Sequence, residues 1–242
     1  MLKKSILIAV LIVTANGFTQ APRQIDSVAI RLLDKMSSIL GELNSVSVDL
    51  NTANDRKNDL NENERIFGTH QLLFSGPSRM TVHSRGDKGN RAIWYNGEFL
   101  TYYSYDENNY VSLEAPETTI AMVDSIHAKF GIKFPGVDIF YPSLTDDVLD
   151  NFDHVKILGL KTVEDQECFH IMGSSKDMTF QLWISNNAMY LPKRYLFIDK
   201  KNGHLHYQGT FSNWLFDPSI PDTVFEFAPP KNARLISILS KS

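Results

Sequence analysis

His204 and His206 stand two positions apart in "HLHY" and would project from the same side of a strand, which is how a pair of metal ligands can begin. The other five histidines are scattered, and neither H-E-x-x-H nor C-x-x-C occurs. The pair therefore reads as solvated side chains beside the Asn202-Gly203 turn. Asp146, Asp147, Asp150 and Asp153 bring four carboxylates close in sequence, but without the spacing or the glycine of a calcium loop. They read as the solvated face of a short helix. Cys168 is the sole cysteine, in "ECFHIMG", so no internal disulfide can form, and it reads as a small buried hydrophobe rather than a reactive thiol. G-x-S-x-G is absent, and no Ser, His and Asp share a telling spacing. These residues assign no catalytic group, metal or cofactor, and the chain reads as a non-enzyme.

What is left that could recognise anything is apolar. Trp94, Phe99, Phe130, Trp183 and Phe197 either line a ligand cavity or fill a core at native density. The elements that hold them decide between the two. In "TFQLWISNNAMYLPKRYLFID", residues 179–199, both arms alternate with period two, yet both faces of each arm carry apolar groups. A half-buried antiparallel strand should be apolar on one face only. Something must therefore cover each side.

The candidate covers are helices. Residues 25–40 carry apolar side chains three and four apart, from Ile25 through Leu40, and Gly41 follows as a stop. A second helix is expected after Pro116, over 117–130, with Ile120, Val123, Ile126 and Phe130 on one face and Gly131 at its end. A short third one is expected near 145–151. The rest reads as strands. The polar run "NDRKNDLNENE" has the length of a hairpin end, and Asn96-Gly97 is expected to form a two-residue type I′ turn that sets Tyr95 opposite Glu98 and Ile93 opposite Leu100. Helix, antiparallel strands, helices and more antiparallel strands make an α+β chain with one long meandering sheet.

The chain has 242 residues and a net charge of −4, enough length for a sizeable core. "MLKKSILIAVLIVTANG" has a basic start, a short apolar run and small residues near its end, the pattern of a secretory signal cleaved near Gly17. The apolar run is too short to span a bilayer, for which about 20 residues are needed. Removing the segment takes away Lys3 and Lys4 and no acid, which moves the net charge from −4 to −6. With no basic stripe, nucleic acid and strong attraction to anionic lipid surfaces are disfavoured. Residues 1–17 are thus expected to be a signal peptide, and 18–242 one domain in the periplasm.

"FQLWI" followed by "LPKR", then "FSNW" and "FEFAPP", with the earlier "YNGEFLTYY" and the "CFHI" strand, resembles an uncharacterised family of predicted periplasmic proteins. That family is similar in turn to the superfamily of the periplasmic lipoprotein carrier and the outer-membrane lipoprotein receptor. The resemblance implies an unclosed, strongly curved antiparallel β-barrel, with helices covering its concave face over an apolar cavity. It implies a binding or carrier protein for a hydrophobic ligand: an acyl chain, a lipid or a lipidated protein, with at most transient membrane contact. The alternative is an envelope protein-interaction module with no small ligand. The candidate cavity lining on this reading is Trp94, Phe99, Ala121, Ile126, Phe130, Phe134, Leu182, Trp183 and Phe197. The "FEFAPP" tail is expected to close a sheet edge, since its prolines cannot extend a ladder.

Overall fold

The structure, a computed structural model, describes residues 23–237 apart from 133 and 135. The proposed signal segment lies outside the described residues. In chain order the elements are β1 (Gln24–Ile25), α1 (Ser27–Gly41), β2 (Ser45–Lys57), β3 (Asn63–Ser75), β4 (Arg79–Gly86), β5 (Arg91–Tyr95), β6 (Phe99–Ser104), β7 (Asn109–Glu114), α2 (Thr119–Phe130), α3 (Leu144–Asn151), β8 (His154–Val163), β9 (Gln166–Ser174), β10 (Met178–Ser185), β11 (Pro192–Asp199), β12 (Leu205–Phe216) and β13 (Arg234–Leu235). Short 3-10 turns lie at Val137–Phe140 and Asp222–Phe225.

All the strands join one sheet, in the order β1-β8-β9-β10-β11-β12-β2-β3-β4-β5-β6-β7-β13. Pairing is antiparallel except at the two edges, where β1 joins β8 and β13 joins β7 in parallel. Among the described residues the two edges do not pair with each other, so the barrel is unclosed. Two meanders, β2–β7 and β8–β12, meet where β12 pairs with β2 from Tyr207↔Asn54 to Phe216↔Val46. The chain between the meanders carries α2, a 3-10 turn and α3 across the concave face.

The helices form where the sequence supplies both an apolar stripe and an end. Asp26 caps α1 by accepting from the Val28 N–H at 2.8 Å, and Ala29, Leu32, Leu33, Met36 and Leu40 make its buried stripe. That stripe meets α3, β8 and the Val137–Phe140 turn. Thr118 caps α2 through the Ala121 N–H, and Gly131 ends it in a left-handed conformation. The buried residues of α2 are Met122, Val123 and Ile126, whereas Ile120, expected on that face, is exposed. Leu33, Met36, Leu50, Leu72, Met122 and Ile171 lie fully inside the common core, each contributing roughly 1.5–3 kcal/mol of burial.

The hairpin at the polar run is present, with β2 and β3 paired to their tips at Lys57↔Asn63. The Asn96-Gly97 turn is a correction. Tyr95 pairs with Leu100 and Ile93 with Tyr102, so four residues form the loop. Asn96 turns its own side chain inward and accepts from the N–H groups of Glu98 and Phe99 at 3.1 and 2.9 Å. Only Gly97 of the pair has a positive φ, so the two left-handed residues of a type I′ turn are not both present. The slip is by two residues, which preserves the face of every side chain.

The outer face explains why these strands are apolar on both sides. Trp94, Tyr103 and Tyr110 lie on the convex side of β5–β7 and receive Phe227 from the tail, with ring centroids 5.1, 5.7 and 5.2 Å away. Phe225, just before it, is 1% exposed, and Arg79 of β4 pairs with Asp222. The tail then adds β13 to the β7 edge, but through Arg234 and Leu235, while "FEFAPP", expected at the edge, lies on the convex face instead. Phe225→Ala should cost about 3–5 kcal/mol, the usual range for truncating a buried Phe. Urea unfolding reads this, and a loss below about 1 kcal/mol would mean that the tail is not part of the cooperative fold.

Candidate ligand cavity

The helices do not fill the concave side of the sheet. Between them lies a cavity of about 1280 Å³. On the sheet side its exposed lining residues lie at or near the β2–β3, β4–β5, β9–β10 and β11–β12 turns, all at one end of the sheet, and on the helical side Asp124, His127, Asp138, Asp147 and Asn151 are exposed as well, so the cavity is open along that end. The helical wall is built by Val123, Phe134, Val137, Ile139, Val148 and Phe152. Gly136 lets the chain between α2 and α3 approach the sheet: its φ is +64°, and a Cβ would come 2.9 Å from a Leu50 methyl. Gly209 does the same on the sheet itself. A Cβ there would lie 2.3 Å from the Tyr195 ring, which covers this glycine from the opposite strand.

The sheet wall has two halves. On β10–β12 the inward residues are Phe180, Leu182, Tyr195, Phe197, Leu205 and Tyr207. On β2–β5 they are Thr52, Asn54, Arg56, the apolar Ile66, Gly68, His70, Ser84 and Arg91. His70 is 6% exposed and lies between two hydroxyls, Thr52 Oγ1 at 3.0 Å from Nε2 and Ser84 Oγ at 2.8 Å from Nδ1. Burial first, and the charges of Arg91 and Lys88 second, lower its pKa to about 4. It is neutral at neutral pH, so one ring nitrogen donates and the other accepts. A base this weak is poorly matched to deprotonating Ser84 near pH 7. On the helical side, burial and a 2.8 Å hydrogen bond to Asp124 push the Tyr141 hydroxyl up, tying α2 to the following loop.

Of the residues expected to line a cavity, Phe134, Leu182 and Phe197 do so. The others require correction. Trp94 and Phe99 lie on the convex face, around a small hollow of about 250 Å³ under the tail. Trp183 is also convex, stacked on His170 with centroids 4.3 Å apart. Ala121 is on the exposed side of α2, Ile126 is buried in the core, and Phe130 packs half-buried against it. Thr52, Asn54, His70, Ser84 and Arg91 were not anticipated. A signal for the first two exists: along β2 the same face reads Val48, Leu50, Thr52, Asn54, turning from apolar to polar within one strand.

Among the described residues no group of three or more His, Cys, Asp and Glu is placed to hold a metal. His206 donates its backbone N–H to Asp55 at 3.0 Å, and His204 is exposed at its turn. Cys168 is buried, and that burial raises its thiol pKa.

The family described as "Predicted periplasmic protein (DUF2092)" matches residues 29–239. The chain belongs to this family. Among solved structures, an uncharacterized conserved protein from Thermus thermophilus aligns at 12% identity and a TM-score of 0.52, over 86% of this chain and 98% of its own. The Mycobacterium tuberculosis lipoprotein LppX aligns at 11% identity and a TM-score of 0.50, over 81% and 98%. A LolA superfamily protein from Nitrosomonas europaea aligns over 82% and 97% at 12% identity and a TM-score of 0.39, a likeness too weak to argue from. No curated protein sequence matches. At these identities the likenesses bear on fold alone, and the fold of this DUF2092 member is that of an open antiparallel barrel with helices on its concave face.

The buried His70 gives the stability of the fold a pH dependence. Its folded pKa lies below the ordinary 6.5, so the unfolded chain takes up the proton first as pH falls. Stability should decline from about pH 6.5 and have lost about 3 kcal/mol from this group below about pH 4. The stability gap between wild type and His70→Gln should shrink by about that amount between pH 7 and pH 4 in urea melts. A gap independent of pH would contradict the assignment.

Proposed function

We propose that this protein is a non-enzymatic periplasmic binding or carrier protein that holds a hydrophobic ligand, such as an acyl chain, a lipid or the lipid of a lipidated protein, inside the half-barrel. The observation that carries the reading is the cavity. A space of about 1280 Å³ is larger than most small-molecule pockets, which run to about 1,000 Å³, and is lined over much of its wall by aliphatic and aromatic side chains. The helix-covered sheet leaves it open at one end, which a carrier needs in order to load and release. Export rests on the family description as predicted periplasmic and on the proposed signal at residues 1–17, with a mature terminus near Phe18 that the intact mass of the exported protein reads directly. Among the described residues no helix is long and apolar enough to cross a membrane.

The competing reading, an interaction module, draws on β8, whose outer edge is paired with β1 at His154 and Val155 alone among the described residues. Lys156, Lys161 and the bulge between Ile157 and Leu160 blunt that edge, as natural edges are blunted against unwanted pairing.

Leu182→Trp would extend an aromatic ring into the cavity, and Ala121→Trp would place the same ring on the outside of α2. An apolar fluorescent probe should bind wild type at one site per chain. Leu182→Trp should weaken it roughly tenfold or more at a stability cost below about 1 kcal/mol, whereas overpacking a solid core costs roughly 1–3 kcal/mol. Ala121→Trp should change neither. Strong destabilisation by Leu182→Trp, with no probe binding to wild type, would mean a filled core and no carrier.

A further inference from the structure

The charged side chains around the cavity are engaged with the protein itself. Five basic and six acidic residues line it, so neither sign prevails. On β2, Arg56 pairs with Glu64 at 2.7 Å, and Lys57 donates to the Asn61 carbonyl at 3.2 Å. Asp55, which alternates with the inward Asn54, accepts from Arg65 at 2.8 and 3.2 Å. Arg91 donates to the Lys88 carbonyl at 2.9 Å, and Arg85 alternates with the inward Ser84 and so belongs to the convex face. Asp124 accepts from the Tyr141 hydroxyl and Asp147 from the Ser143 hydroxyl, each at 2.8 Å. Asp177 pairs with Lys201 at 2.8 Å, and Asp199 accepts from Asn202 at 2.7 Å. Lys88 and Asp138 are likewise not free. An ionised head group would therefore give up its water without meeting an uncommitted counter-ion.

The neutral polar groups of the wall also satisfy one another, with one exception. Thr52 and Ser84 occupy both ring nitrogens of His70. Asn54, two residues from Thr52 on the same face of β2, has a buried side-chain oxygen that accepts no hydrogen bond. Of the buried side-chain polar atoms without a partner among the described residues, it is the one that lines the cavity. A buried amide oxygen left without a donor is unfavourable, and a hydroxyl reaching it from the cavity would supply that donor. Turned by a flip, the same amide would present its NH2 group, and a hydroxyl can accept as well as donate.

The sheet register sets what lies beside that amide. Asn54 pairs with Tyr207 across the seam, Tyr207 with Phe197, and Phe197 with Phe180. These four stand in one row across β2, β12, β11 and β10, and all of them line the cavity. The row covers three strand spacings, about 14 Å. It begins on an amide and continues over three aromatic rings, with Leu205 and Leu182 two positions along their strands from Tyr207 and Phe180. We propose that the ligand is an uncharged lipid with a free hydroxyl, a long-chain alcohol or a glyceride, whose hydroxyl bonds the Asn54 amide and whose chain crosses the seam over Tyr207, Phe197 and Phe180. This rests on the hydrophobic-ligand reading and adds to it a head-group class and an orientation.

The test uses four probes of equal chain length: dodecanol, its methyl ether, dodecanoate and dodecylammonium. Each displaces an apolar fluorophore at about pH 8, where the carboxyl and the amine are both ionised, and below micelle-forming concentrations. Asn54→Leu removes the amide at nearly constant size, and Asn54→Ala repeats the comparison without the bulk of leucine, with urea melts to show that each variant is folded. The ratio of dodecanol affinity to ether affinity should fall roughly tenfold from wild type to Asn54→Leu, an effect of about 1.4 kcal/mol, while the ether keeps its affinity. Neither ion should bind wild type more tightly than dodecanol. Phe197→Ala should weaken the alcohol and the ether alike, and no effect on either would overturn the course given to the chain. An unchanged ratio in both Asn54 variants would overturn the hydroxyl contact, and tighter binding of either ion would overturn the uncharged class. Both of those results leave the hydrophobic-ligand reading standing. Failure of all four probes to bind wild type would overturn both readings.

Discussion

The pairing of β12 with β2 is the contact on which everything else depends. It joins the last long strand of the chain to the first, from Tyr207↔Asn54 to Phe216↔Val46, and turns two meanders into one curved sheet. Without it each meander would be a separate antiparallel sheet with an open edge at this seam, and neither would have a concave side deep enough to enclose anything. A contact so distant in sequence is entropically expensive to close and tends to form late. The β12 side of the seam is reinforced from within by aromatic packing: Phe211 is fully buried and meets Tyr195, Trp214 and Phe140 at centroid distances of 5.9, 5.6 and 6.2 Å.

The same seam divides the cavity's chemistry. Strands from the second meander present mainly Phe180, Leu182 and Phe197; those from the first present Thr52, Asn54, His70 and Ser84 with Ile66 among them. A half-barrel made from one continuous meander would have no reason to change character at a particular strand boundary. Here each wall belongs to a different stretch of sequence, and the helical crossover lies over both. An apolar tail and a polar head can therefore be served side by side, without burying either in the wrong surroundings.

Much of the architecture was legible in the sequence, because periodicity and end signals are local. The stripe from Ala29 to Leu40, the strand alternations and the polar run between β2 and β3 each name an element. The direction in which a side chain faces was much less legible. Trp94, Phe99 and Trp183 look as suitable for a cavity as Leu182 and Phe197, since all stand on strands apolar on both faces. What sends Trp94 outward is Phe227, delivered by a tail far along the chain. Ala121 and Val123 differ by two positions on one helix, and only the docked orientation separates outside from inside. The polar strip escaped notice for the opposite reason: Thr52, Asn54, His70 and Ser84 read as solvent-facing strand residues until the pairing of β2, β3 and β4 brings them together. The Asn96-Gly97 loop slipped by two residues because Asn96 spends its side chain on the Glu98 and Phe99 N–H groups, a choice the dipeptide alone does not dictate.

The account rests on the cavity being a ligand's place and not unfilled packing. The most direct measurement is native mass spectrometry of the full-length gene product recovered from the periplasm without detergent, followed by identification of whatever small molecule is released on unfolding. The prediction is a chain beginning near Phe18, carrying one small molecule with an apolar chain, and losing it when denatured. A chain of bare mass that also takes up no apolar probe on titration would contradict the central claim.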